Sequence, residues 1–121
     1  MARILVIDDD EYICKSLQRI LEKDGYEVQT AGDGEAGLGI VSREIPDLII
    51  IDIVMPIKEG IETINELLKK YPEIKIIAMS GGGQRLDAQQ YLDLAYKFGV
   101  KATIKKPFER GEILELVKKV L

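Results

Sequence analysis

The stretch LIIIDIVMPIKEG, which runs from Leu48 to Gly60, places a carboxylate directly after four apolar residues. An apolar run without polar alternation is typical of a strand that is buried on both faces of a sheet. Asp52 therefore stands at the end of a buried strand. A single aspartate there is more often a turn or cap residue than a functional one. Its interpretation depends on what stands at the ends of the other strands.

Five short segments rich in Ile, Val and Leu have strand character: RILVI, EVQT, DLIIID, KIIAM and KATIK. The segments between them carry apolar residues at helical spacing. Asp33 is placed to cap the second helix, Gly25 and Gly99 to follow the first and fourth, and Pro72 to end the third. Strand and helix thus alternate along the chain. This order predicts an α/β fold with a parallel sheet between two layers of helices.

The size and composition of the chain exclude several classes of protein. Its 121 residues fit one domain, so we expect a single domain over residues 1–121. The net charge of −4 argues against nucleic-acid binding by this domain. A single cysteine, Cys14, permits no internal disulfide. No segment has the length of a membrane span, and the N-terminus lacks the pattern of a signal peptide. We expect a cytoplasmic protein with no membrane contact.

Polar side chains stand at the ends of four of the five predicted strands. In parallel sheets ligands bind at the carboxyl ends of the strands, close to the point where the strand order reverses. These ends carry Asp8, Asp9 and Asp10 after the first strand, Asp52 at the third, Ser80 at the fourth, and Lys105, Lys106 and Pro107 at the fifth.

The clustered carboxylates predict a metal site. Two carboxylates repel each other by about 4 kcal/mol at 4 Å and an effective dielectric constant near 20, which exceeds the worth of an ordinary surface ion pair. A hard divalent cation relieves this repulsion, and Mg²⁺ binds one or two carboxylates while still accepting phosphate oxygens. A lysine and a serine nearby supply a charge and a hydroxyl for a phosphoryl group. The set indicates phosphoryl transfer to a carboxylate.

Four motifs, VIDDD, DIVMPIKEG, AMSG and KKPF, resemble those of the response-regulator receiver domain of two-component signalling. The resemblance is to chemotaxis-regulator-like receivers and covers essentially the whole chain. It implies a flavodoxin-like, doubly wound sheet of five parallel strands in the order 2-1-3-4-5, with five helices. It also implies a signalling domain that catalyses only its own phosphorylation and dephosphorylation, and whose phosphorylation switches a partner-binding surface.

The resemblance assigns roles to individual residues. Asp52 is the phospho-acceptor and a Mg²⁺ ligand, Asp9 a direct ligand, and Asp8 an outer ligand acting through water. Val54 adds its backbone carbonyl to the metal. Asp10 lies outside the acidic pair and caps the first helix.

The remaining roles belong to the fourth and fifth strand ends. Ser80 is expected to bind a phosphoryl oxygen in the switched state. Lys106 is expected to pair with Asp52 and then with the phosphoryl group, and the resemblance implies a cis bond between Lys106 and Pro107. Thr103 departs from the family pattern, because many receivers have an aromatic residue at this position. Coupling by rotation of such a ring is therefore not expected.

Two kinds of protein partner are expected, a phosphoryl donor and a downstream target. The resemblance implies that the phosphoryl donor is a histidine kinase or histidine phosphotransfer protein. The chain contains no histidine, so it cannot be the phosphohistidine donor itself. A downstream protein target, or an effector domain in a longer chain, would receive the signal; stand-alone regulator, relay intermediate and fragment all remain open.

Two other classes of function are compatible with part of the pattern. A haloacid-dehalogenase-like phosphohydrolase would use Asp8 as its nucleophile, since DDD contains an Asp-x-Asp motif, but it leaves the Met-Pro-x-x-x-Gly segment unexplained. A binding module that signals without phosphate would not need the complete acidic set. The position of a phosphoryl label separates the first alternative from the receiver interpretation.

Overall fold

The computed structural model describes residues 2–53, 57–81 and 88–121. The strands are β1 (Arg3–Ile7), β2 (Glu27–Ala31), β3 (Leu48–Asp52), β4 (Ile76–Ser80) and β5 (Ala102–Lys105). The helices are α1 (Glu11–Lys23), α2 (Gly34–Arg43), α3 (Ile57–Lys70), α4 (Ala88–Phe98) and α5 (Arg110–Val120). The predicted alternation of strands and helices is confirmed.

All five strands are parallel and form one sheet in the order β2-β1-β3-β4-β5. This is the predicted order. The chain runs from β1 outward to β2 and then crosses back to β3 on the other side of β1. Strand order therefore reverses between β1 and β3, and the carboxyl ends of these two strands lie side by side.

The apolar run of β3 is explained by two cores, one on each face of the sheet. Ile49 and Ile51 point into a core completed by α2, α3 and α4. Leu48 and Ile50 point into the opposite core, which α1 and α5 cover. Side chains alternate across a strand, so burial on both faces favours apolar residues at successive positions, as at residues 48–51.

The helix ends follow the predicted local chemistry. Asp33 caps α2 by accepting a hydrogen bond from the Ala36 amide at 2.7 Å. Gly25 and Gly99 follow α1 and α4 with φ of 96° and 105°, the left-handed conformation that glycine adopts without steric cost. Helix α3 ends at Lys70, two residues before Pro72. These four predictions are confirmed.

One sequence-based expectation about α4 is wrong. The spacing of Tyr91, Ala95 and Phe98 predicts a shared core face. Ala95 is fully buried, but Phe98 is 37% exposed at the last position of the helix, where the chain turns away through Gly99. The side chain of Tyr91 lies outside the described part of the structure. In residues 2–53, 57–81 and 88–121, no helix combines the length and apolar character needed to cross a membrane.

Candidate functional site

Strand pairing brings three carboxylates together at the carboxyl edge of the sheet. Ile7 pairs with Ile51, so Asp8 and Asp52 come next on two adjacent strands. Asp8 is 1% exposed and Asp52 6%, whereas Asp9 faces solvent. One carboxylate oxygen from each of the three residues lies within 4.8 Å of the others. The cluster expected from the strand ends is therefore present, with one side open to solvent.

Lys106 joins the two buried carboxylates. Its ammonium donates to Asp8 Oδ2 at 2.8 Å and to Asp52 Oδ2 at 2.9 Å. The backbone amide of Lys106 donates to the carbonyl of Ser80 at 2.9 Å, which extends the β4–β5 pairing to the site. The Lys106–Pro107 bond is cis, as the family resemblance implies. The contact with Asp52 was expected, but the contact with Asp8 was not.

Burial and charge shift the titration of these groups. Burial raises the pKa of Asp8, and the nearby charge of Asp52 adds to this, although hydrogen bonds from Lys106 and the Asp10 amide oppose it. Burial lowers the pKa of Lys106, but hydrogen bonds to Asp52 and Asp8 together outweigh it, so the pKa lies above its ordinary value. Lys106 is therefore positively charged at neutral pH and offsets part of the repulsion between the two carboxylates.

Ser80 is the last residue of β4 and is fully buried. It lies one residue past Met79, the register partner of Asp52. The hydroxyl-bearing residue thus stands one strand away from the acceptor position. Residues 82–87, which follow Ser80 and Gly81, lie outside the described ranges. Val54 does too, so the structure does not test the predicted metal ligand at its backbone carbonyl.

Three contacts around the site are not predicted by the sequence patterns. Lys106 reaches Asp8 across two intervening strands, which a long flexible side chain permits but no spacing reveals. Cys14, which is buried in the core under α1, donates its thiol to the Asp8 carbonyl at 3.3 Å. Gly60 in α3 lies against the backbone of Ile53, although a glycine eight residues after Asp52 was itself a signal that the motif contained.

The chemistry of the donor set fits a hard divalent cation. Asp8, Asp9 and Asp52 offer carboxylate oxygens only, which Mg²⁺ prefers over nitrogen or sulfur. The solvent-exposed position of Asp9 leaves room for water or a phosphoryl oxygen.

The comparisons with known proteins agree on one family. The family model described as the response regulator receiver domain matches residues 4–118. Protein CcdB of Bacillus subtilis is 34% identical over 122 residues, with 100% of this chain and 98% of CcdB covered. The alkaline phosphatase synthesis transcriptional regulatory protein PhoP of B. subtilis is 36% identical over 119 residues, covering 98% of this chain. The chain spans only 48% of PhoP.

A solved structure gives the same result. The response regulator protein TrrA of Thermotoga maritima, crystallised in complex with Mg²⁺ and BeF, superposes with a TM-score of 0.86 at 36% sequence identity. The match covers 100% of both chains.

Proposed function

The chain belongs to the response regulator receiver domain family of two-component systems, and we propose that it is a single receiver domain over residues 1–121 that accepts a phosphoryl group on Asp52. The observation that carries the proposal is the convergence of three carboxylates and Lys106 at the carboxyl edge of the sheet, on the switch point between β1 and β3. The family is a signalling one, and the catalysis we propose is limited to the phosphorylation and dephosphorylation of the domain itself.

The proposed chemistry starts at a carboxylate oxygen of Asp52. This oxygen attacks the phosphorus of a phosphohistidine, a P–O bond forms as the P–N bond breaks, and the released imidazole takes up a proton. Catalysis of phosphoryl transfer is mostly positioning and charge stabilisation. Lys106, 2.9 Å from Asp52, is placed to balance charge on the transferred group, and Ser80 is proposed to donate its hydroxyl to a phosphoryl oxygen.

Mg²⁺ is the proposed cofactor. Asp9 and Asp52 would hold it directly, Asp8 through water, and Val54 through its backbone carbonyl. When bound, Mg²⁺ neutralises negative charge on the phosphoryl oxygens. The donor chemistry of the three carboxylates supports this assignment, as does the TrrA structure, a complex with Mg²⁺ and BeF.

The proposed donor is a histidine kinase or a histidine phosphotransfer protein, because the chain belongs to the receiver family of two-component systems. The chain has no histidine of its own, so the phosphohistidine must come from the partner. The donor must reach Asp52 from the carboxyl edge of the sheet. A groove of about 460 Å³ borders Lys106 there and is lined on its two sides by α1 and by Pro107 and Phe108.

The proposed output is a changed surface on α4, β5 and α5, read by a downstream protein or by an effector domain. This domain alone is proposed to contact neither nucleic acid nor membrane, and we place it in the cytoplasm. Ser80 is proposed to shift towards the phosphoryl group and so change the population of two conformations. The backbone hydrogen bond between Lys106 and Ser80 links the two strand ends that take part.

Acetyl phosphate, a small phosphoryl donor, tests the proposal without the unknown partner. The protein should gain the mass of one phosphoryl group in intact-mass spectrometry when Mg²⁺ is present, and none when Mg²⁺ is chelated. The matched variant Asp52→Asn should gain nothing. A gain of the same size in Asp52→Asn would contradict the assignment of the acceptor.

A further inference from the structure

Gly60, in the first turn of α3, lies against the backbone of the residue that follows Asp52. A Cβ built on Gly60 would stand 2.6 Å from Ile53 Cα and 2.9 Å from both the carbonyl carbon and the carbonyl oxygen of Ile53. Real Cβ atoms essentially never approach another heavy atom to less than 3.0 Å. The atoms in the way belong to the backbone, so no side-chain rotation relieves the overlap.

Ile53 is held from the other side as well. Its amide donates to the carbonyl of Met79 at 3.0 Å, which attaches it to β4. Its side chain is fully buried in the core beneath α3. The backbone that leaves Asp52 is thus fixed between β4 and the first turn of α3.

Helix propensity alone does not explain this glycine, because alanine is favoured over glycine inside helices. Gly39 in α2 shows the contrast: a Cβ there would meet nothing within 4 Å. At Gly37, also in α2, the three atoms nearest to an added Cβ belong to the side chain of Ile7 and not to backbone. At Gly60 the absence of a side chain allows the close approach itself.

We propose that Gly60 is a positioning residue for the acceptor segment: it lets α3 rest on the Ile53 backbone and so sets the direction in which the chain leaves Asp52. The inference rests on the proposed function, because the roles of Asp52 as acceptor and of Val54 as metal ligand are part of that proposal. A side chain at residue 60 must displace either α3 or the Ile53 backbone. Displacement of Ile53 would move the carboxylate before it and the carbonyl after it.

The test compares Gly60→Ala with two controls. Gly39→Ala adds the same methyl group at an open helical position. Val117→Ala removes core volume from α5, on the other face of the sheet, and so destabilises the protein away from the site. Mg²⁺ affinity by calorimetry, thermal melting in chelator and the amide chemical shift of Ile53 are measured for each variant.

We expect Gly60→Ala to weaken Mg²⁺ binding roughly tenfold or more, as substitutions that misplace ligands typically do, and to shift the Ile53 amide in chelator. Gly39→Ala and Val117→Ala should bind Mg²⁺ within about twofold of the unmodified protein, although Val117→Ala melts earlier. If Gly60→Ala does not fold, the substitution is repeated in a Gly39→Ala, Gly111→Ala background, which adds helix propensity at two open positions.

Unchanged Mg²⁺ affinity in folded Gly60→Ala would overturn the inference, and so would a loss matched by Val117→Ala at equal destabilisation. Both outcomes presuppose that the unmodified protein binds Mg²⁺. If the unmodified protein itself fails to bind Mg²⁺ and to accept a phosphoryl group from acetyl phosphate, the proposed function fails instead.

Discussion

Lys106 holds one oxygen of each buried carboxylate, at 2.8 Å from Asp8 and 2.9 Å from Asp52. A divalent cation held by the same carboxylates would lie near this ammonium and be repelled by it. Lys106→Ala removes a positive charge from the site, so we expect it to bind Mg²⁺ more tightly than the unmodified protein. It should also still accept a phosphoryl group from acetyl phosphate, because acceptor and metal ligands remain. Calorimetric titration with Mg²⁺ measures the first effect.

Lys105→Ala is the matched control for this prediction. Lys105 is the neighbouring residue and is exposed at the end of β5. Loss of a solvent-exposed charge, which water and salt screen, should change Mg²⁺ affinity little. Weaker binding in Lys106→Ala, or equal tightening in both variants, would show that the ammonium does not compete with the metal.

Asp8 gives the site a pH dependence. Its pKa is raised, mainly by burial, so as pH falls it takes up a proton earlier than an ordinary aspartate does. A protonated Asp8 is a poorer partner for a cation. We therefore expect Mg²⁺ affinity to decline on acidification from a pH above the usual aspartate range. Titrations at several pH values should show this decline flattened in Asp8→Asn; an identical profile in both proteins would contradict it.

At the scale of single residues, the sequence predicts which side chains meet but not how they bond. Parallel strands align their carboxyl ends, so Asp8, Asp9, Asp52 and Lys106 are expected at one edge. The bridge from Lys106 to both buried carboxylates depends on the path of a flexible side chain over β3 and β4, which no local pattern encodes. The same holds for the thiol of Cys14 on the Asp8 carbonyl.

At the scale of elements, Asp10 joins the site to α1. Its carboxylate accepts hydrogen bonds from the amides of Tyr12 and Ile13 at 2.9 and 3.4 Å, and so caps the helix. Asp10→Ala should lower the free energy of unfolding by about 1 kcal/mol. It should leave Mg²⁺ affinity nearly unchanged if the Asp10 carboxylate serves the helix cap and the metal is held by Asp8, Asp9 and Asp52. Chemical denaturation and calorimetry measure the two quantities.

Two comparison variants separate the cap from the acidic pair. Asp10→Asn keeps a capping oxygen and should retain stability. Asp9→Asn should do the opposite of Asp10→Ala: it removes a clustered charge, so it should weaken Mg²⁺ binding and raise stability in chelator. A large loss of Mg²⁺ affinity in Asp10→Ala would move Asp10 into the metal site.

Elements with strong local signals are predictable from this sequence, and those whose burial depends on tertiary packing are less so. Caps at Asp10 and Asp33 and left-handed turns at Gly25 and Gly99 follow from backbone chemistry within a few residues. The exposure of Phe98 does not, because it depends on where α4 stops relative to the sheet. An apolar period alone cannot show that its last member lies beyond the core.

At the level of the whole molecule, the proposed output requires that phosphorylation at the carboxyl edge of the sheet alters the conformation of α4. Ser80 ends β4, Lys106 follows β5, and the two share a backbone hydrogen bond. Phosphorylation should therefore change amide chemical shifts along residues 88–98 in the unmodified protein. Lys106→Ala should be phosphorylated without this response, whereas Lys105→Ala should keep it.

A full chemical-shift response in Lys106→Ala together with a lost response in Lys105→Ala would show that the wrong lysine has been assigned to the coupling. Thr103 stands half-buried in β5 where many receivers carry an aromatic residue, so the response cannot depend on rotation of a ring there.

If Asp52 is the residue phosphorylated, chemical mapping will find the acyl phosphate at that position. After reaction with acetyl phosphate and Mg²⁺, borohydride reduction converts a phosphorylated aspartate to homoserine, which peptide mass spectrometry then locates. We expect homoserine at position 52 and unmodified aspartate at positions 8 and 9. Homoserine at position 8 with an intact Asp52 would overturn the assignment of Asp52 as the acceptor and favour a phosphohydrolase-type nucleophile at Asp8.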